Sequence, residues 1–112
     1  MQTEFFIQRP VITPTIYVYE LIGVNSHRDY IKIGYTERDV VTRIREQLHT
    51  SAIPFKILYQ ENAMREDGSV FTDKDIHRIL ERQGFKQLNA VEDSNEWYNC
   101  SLNDVKAAIV EL

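Results

Sequence analysis

Two segments constrain the fold most, Thr15-Ile16-Tyr17-Val18-Tyr19-Glu20-Leu21 and Tyr30-Ile31-Lys32-Ile33-Gly34-Tyr35. Both are rich in β-branched and aromatic residues, and the stretch between them, Gly23 to Asp29, is polar. The pattern predicts two β-strands joined by a loop. Alternation puts Ile16 and Val18 on one face of the first strand, with Tyr17 and Tyr19 on the other. In the second strand Ile31 and Ile33 share a face, and Tyr30, Lys32 and Gly34 share the opposite one. With the aliphatic faces turned inward, a tyrosine-bearing face is left as the candidate working surface.

A helix follows at once. Thr36-Glu37-Arg38-Asp39 has the form of a capping box with Asp in place of Glu, which predicts a helix from about Glu37 to Leu48. Val40, Val41, Ile44 and Leu48 form its apolar stripe, with Arg43 and Gln47 one turn apart beside it. Pro54 to Gln60 reads as a third strand with Phe55, Ile57 and Tyr59 on one face. Glu61 to Ser69 is a loop that turns at Asp67-Gly68. Thr72-Asp73-Lys74-Asp75 opens a second helix whose buried stripe is Ile76, Ile79 and Leu80, and Gly84 caps its end. Asp73 and His77, four residues apart, lie on one side of it. Glu96 to Cys100 is a short strand, and Ser101 with Asp104 starts a last helix with the stripe Val105, Ala108, Ile109 and Leu112.

The expected fold is α+β. A small central sheet of about three strands, mixed or antiparallel, is flanked by helices in the order β-β-α-β-α, with a C-terminal strand and helix added. At 112 residues the chain suits one domain, residues 15–112, behind a peripheral lead-in at residues 1–14. The lead-in carries Phe5-Phe6-Ile7 and two prolines, Pro10 and Pro14. The last helix has no Gly, Asn or Pro to stop it, so the chain reads as an N-terminal piece of something longer. No run is apolar enough for a membrane span. Cys100 is the single cysteine, which argues against a disulfide framework and fits a reducing, cytoplasmic setting. A formal net charge of -4 argues against a protein that coats nucleic acid indiscriminately, though not against a local basic face.

In order and spacing these motifs resemble the GIY-YIG nuclease superfamily. The first family motif matches Thr15-Ile16-Tyr17, with Thr15 where the family has glycine. The second matches Lys32-Ile33-Gly34, with Lys32 in place of tyrosine; the Lys-Ile-Gly-Tyr-Thr form is similar to one branch of the family. The family arginine falls on Arg43 and its acidic residue on Asp73, an aspartate where a glutamate is usual. Glu96-Trp97-Tyr98 looks like the branch's closing strand, and either Asn95 or Asn99 could stand for the family's late asparagine. From Ile16 through Asp73 the chain also resembles the domain in front of DEAD/DEAH-box helicases of restriction-like systems. No Walker A motif occurs, so helicase activity would lie outside these residues.

The resemblance implies metal-dependent hydrolysis of DNA phosphodiesters. Asp73 would hold Mg²⁺ or Mn²⁺, for which one carboxylate plus water and substrate oxygens is enough. Arg43 would clamp the phosphate with its planar fork. Tyr17 would orient or deprotonate the attacking water, Lys32 would lower that phenol's pKa or bind phosphate, and His77 would orient Asp73 or shuttle a proton. Arg38, Arg45 and Lys56 would contact further phosphates. Each residue also has a plain structural role available. Tyr17 can be a packing residue, Lys32 and His77 surface residues, Arg43 a partner of Asp39 or Gln47, and Asp73 a helix-terminus charge. Trp97 and Tyr98 read as core. Two other functions fit the same residues, a non-catalytic nucleic-acid-binding module and a protein-interaction domain that tethers a helicase.

Overall fold

The computed structural model describes residues 13–48, 52–88 and 97–112. Strand β1 is Thr15–Leu21, β2 Ile31–Thr36, β3 Phe55–Asn62 and β4 Trp97–Tyr98; the helices are α1 Val40–Gln47, α2 Asp73–Arg82 and α3 Leu102–Glu111. The fold is α+β, as expected. All pairings are antiparallel, in the order β3-β1-β2-β4, so the expected C-terminal strand joins the sheet as its fourth member. Most of the lead-in, together with Asn95 and Glu96, falls outside the described residues.

Both faces of the sheet are covered. Ile16, Val18, Ile31 and Ile33 pack with Ile76, Ile79 and Leu80 of α2 and Val105 and Ala108 of α3. On the other face Tyr17, Tyr19 and Trp97 pack with Val40 and Ile44 of α1. The tyrosine face is therefore a second core rather than an open surface, since α1 had an apolar stripe of its own to bury. Trp97 and Tyr98 are core residues, one on each face.

Local chemistry sets the helix starts. Thr72 and Ser101 cap α2 and α3 in full capping boxes with Asp75 and Asp104, each cap adding about 1 kcal/mol. For α1 the structure corrects the expected cap. Thr36 stays in the strand, its hydroxyl accepting from the Arg38 N–H at 3.0 Å. Asp39 is the N-cap instead, accepting from the Thr42 N–H at 2.9 Å, and that bond with the Thr42 hydroxyl holds its carboxyl below the usual range. Val41, expected in the buried stripe, is 38% exposed.

A second correction concerns β3. The register runs Val18↔Tyr59 and then Tyr19↔Ile57, which makes Leu58 an extra residue, a β-bulge. The bulge turns Tyr59 to the α2–α3 face while Phe55 and Ile57 stay on the α1 face. The expected turn at Asp67-Gly68 is present, with Gly68 at φ 87° and its N–H on the Arg65 carbonyl at 2.9 Å. Gly84, at φ 87°, lies one residue past the C-cap Gln83 and ends α2.

Candidate active site on the sheet and helix α1

Cross-strand pairing sets Tyr17 against Gly34 and Tyr19 against Lys32. Paired residues point the same way, so Tyr17, Tyr19, Lys32 and Gly34 all face α1. Gly34 is what lets the Tyr17 ring lie across the strand. A β-carbon there would come within 2.6 Å of Tyr17 Cε1 and would overlap Cζ and the hydroxyl. The two tyrosines stack at 6.0 Å between centroids, and Trp97 meets Tyr19 edge-on at 5.4 Å. Lys32 Nζ sits 5.8 Å from the Trp97 ring.

Gln47 closes this row. Its Oε1 accepts from the Tyr17 hydroxyl at 3.1 Å and from the Tyr19 hydroxyl at 3.3 Å. Both tyrosines are 0% exposed. Water thus reaches the Tyr17 hydroxyl only when its cover moves. The sequence offers Gln47 as a neighbour or partner of Arg43, four residues away on the same side of the helix, and gives no sign of its bonds to the two tyrosines.

Arg43 and Arg38 meet one carboxylate. Glu46 accepts from Arg38 Nη1 at 3.0 Å and Nη2 at 2.5 Å, and pairs with Arg43 Nη1 at 3.5 Å. The Arg38 hydrogen bond is the main reason that the Glu46 carboxyl is held below its usual range, with Arg43 adding to it. Of the other basic candidates, Arg45 lies 5.7 Å over the Phe55 ring, and Lys56, paired with Glu20, points to the opposite face. Arg38, Arg45 and Lys56 therefore do not make one continuous surface.

Asp73 and His77 arrive with α2, on the other side of the sheet. Asp73 is the first residue of that helix and half-buried. Its charge is felt at Tyr35, whose hydroxyl donates to Glu37 at 2.9 Å. Burial, Glu37 and then Asp73 together raise the Tyr35 phenol above its usual range. His77 is only 8% exposed, and its Nε2 donates to the Ile33 carbonyl at 3.1 Å. A carbonyl only accepts, so Nε2 carries the proton in that bond. His77 thus ties α2 to β2 beside Gly34, where the two-residue β4 no longer runs alongside.

The structure thus puts Tyr17, Lys32 and Arg43 on one face and brings Asp73 and His77 from the other. The sets are spread along β2, with Lys32 near its start opposite Tyr19 and Trp97, and Tyr35 near its end. Helix α1 starts at Val40, four residues on from the end of β2 at Thr36, and the Asp73 charge acts on the Tyr35 phenol. Among the described residues no three His, Cys, Asp or Glu side chains gather as metal ligands. Glu37, on the Tyr35 hydroxyl, and Asp73, whose charge acts on the same phenol, have the hard-oxygen chemistry that Mg²⁺ takes, and it needs few protein ligands.

The T5orf172 domain profile matches residues 15–112. The chain belongs to the T5orf172 domain family. This is a domain family of endonuclease type found in phage proteins, so the chain is a nuclease-like domain. Neither a curated protein nor a solved structure matches it. No helix among the described residues of this T5orf172 domain is long and apolar enough to cross a membrane.

Two clefts lie elsewhere on the T5orf172 domain. One, of about 300 Å³, is lined by Arg45, Leu48, Ala52, Ile53, Pro54 and Phe55. The other, of about 620 Å³, runs past Glu20, Asp29, Tyr30, Phe85 and Cys100. Burial pushes the Cys100 thiol up to about 12, and the Asp104 charge adds to this. The fold favours the neutral thiol. Its contribution to stability is full below the ordinary thiol value of 9.0 and is lost as pH rises towards about 12. At pH about 8 the native thiol should therefore react with a thiol reagent roughly 100-fold more slowly than the unfolded chain. Equal rates in the two states would show that the burial is not maintained in solution.

Proposed function

We propose that this nuclease-like domain is a DNA endonuclease that hydrolyses phosphodiester bonds with the help of a divalent metal. The reading rests chiefly on Tyr17, Lys32 and Arg43 sharing the α1 face in a chain of an endonuclease-type family. Arg43 binds a non-bridging phosphate oxygen and stabilises the charge that grows there. Lys32, over Trp97 and opposite Tyr19, adds positive charge to the α1 face. The Tyr17 hydroxyl orients the attacking water once Gln47 gives way. His77 acts by position, fixing α2 and so Asp73 against β2. Asp73, with Glu37 on the Tyr35 hydroxyl, would hold Mg²⁺ or Mn²⁺. Bound there, the metal supplies charge neutralisation at the leaving oxygen. The chain would act in a cytoplasmic setting as one part of a longer restriction or repair protein that carries a helicase.

A second reading is a nucleic-acid-binding or protein-interaction module that keeps the fold without the chemistry. It is favoured by the enclosed Tyr17 hydroxyl and by the arrival of Asp73 from the opposite face. Incubation with supercoiled plasmid separates the two. The nuclease reading expects relaxed circles with Mg²⁺ or Mn²⁺ and none with chelator. DNA binding that falls steeply with salt, without nicking in any metal, selects the binding module. Absence of binding even at low salt leaves the protein-interaction role.

A further inference from the structure

The exposed cluster of Arg38, Arg43 and Glu46 goes beyond the assignment of Arg43 as a lone clamp. Glu46 Oε1 lies between two guanidinium groups, 2.5 Å from Arg38 Nη2 and 3.5 Å from Arg43 Nη1, while Oε2 takes Arg38 Nη1 at 3.0 Å. A planar anion forked by one arginine and touched by a second is also the arrangement in which two arginines hold a phosphate. All three side chains are substantially exposed, at 58%, 38% and 43% for Arg38, Arg43 and Glu46.

We propose that Arg38 and Arg43 form a two-arginine phosphate subsite and that the Glu46 carboxylate fills it until a nucleic-acid phosphate displaces it. This rests on the nuclease reading and adds a competing group to it. Exposed ion pairs are weak, so the exchange costs little. A lone phosphate ion gains about as much as it replaces. A polyanionic strand also releases counterions along its length and so displaces Glu46 more readily. Glu46 thereby sets a threshold that favours DNA over small anions.

The test uses the full chain and two readouts. One is the anisotropy of a labelled DNA duplex at fixed salt. The other is the NMR shift of the Arg38 and Arg43 Nε signals on titration with inorganic phosphate. Glu46→Gln should tighten duplex binding about 5-fold and lower the phosphate concentration for half-shift by a similar factor. Glu111→Gln removes the same charge from a distant pair with Arg82, and should change either readout by less than about twofold. In an Arg38→Ala background the gain from Glu46→Gln should fall below about twofold. Equal gains from Glu46→Gln and Glu111→Gln, a gain that persists without Arg38, or arginine signals that ignore phosphate would each overturn the proposal. Absence of nicking with both the duplex and the phosphate responses intact would sink the nuclease reading and leave the subsite standing.

Discussion

Gly34→Ala should destabilise the domain by about 2 kcal/mol and lower its melting temperature by roughly 10 °C. Two effects oppose each other. Alanine in a strand usually stabilises by about 0.4–1 kcal/mol, because glycine loses more backbone freedom on folding. Here the added carbon would overlap the Tyr17 ring and hydroxyl. That ring cannot swing away freely. It is fully buried, stacked on Tyr19 and held by Gln47. Overpacking of such a site costs about 1–3 kcal/mol, so the clash outweighs the backbone gain. Thermal denaturation of Gly34→Ala, alone and with Tyr17→Leu, tests the cause. The cost should shrink once the ring is gone. An alanine variant as stable as the parent would contradict the packing described.

Arg43→Ala should lower plasmid nicking by about 100-fold or more while leaving the melting temperature within a few degrees of the parent. Among the described residues the ion pair lost is an exposed i,i+3 contact with Glu46, worth about 0.5 kcal/mol. Folding and activity therefore separate cleanly at this residue. Arg43→Lys should recover only part of the rate, because an ammonium keeps the charge and lacks the planar fork. Full nicking by Arg43→Ala would remove Arg43 from the mechanism, and with it the strongest link between this face and phosphate chemistry.

Much of the fold was legible because its causes are local. The limits of β1 follow from β-branched and aromatic alternation, and the starts of α2 and α3 from a Thr or Ser with an Asp three residues on. Other features depend on partners distant in sequence. Nothing around Leu58 announces a bulge, because the extra residue is defined by its pairing with β1. An apolar stripe says that a helix covers something; it does not say which face. The tyrosine face therefore read as open, although Val40 and Ile44 close over it.

The candidate site divides in the same way. Tyr17, Lys32 and Arg43 could be grouped from sequence because adjacent strands and the next helix carry them. The chain alone did not reveal that α2 crosses the opposite face, where the Asp73 charge acts on Tyr35 and His77 is buried on the Ile33 carbonyl. Glu46 and Gln47 are ordinary helix residues by spacing. Their partners, two arginines for one and two buried phenols for the other, give them a place in the site.

If the domain is a nuclease, Asp73 of α2 and Arg43 of α1 act on one phosphate from the two faces of the sheet. A crystal grown with Mn²⁺ and a short DNA duplex carrying a cleavage-resistant linkage tests it most directly. The expected result is an anomalous peak bonded to the Asp73 carboxylate and to a phosphate oxygen that Arg43 also holds. An empty Asp73, or a metal there with the duplex seated on another surface, would contradict it.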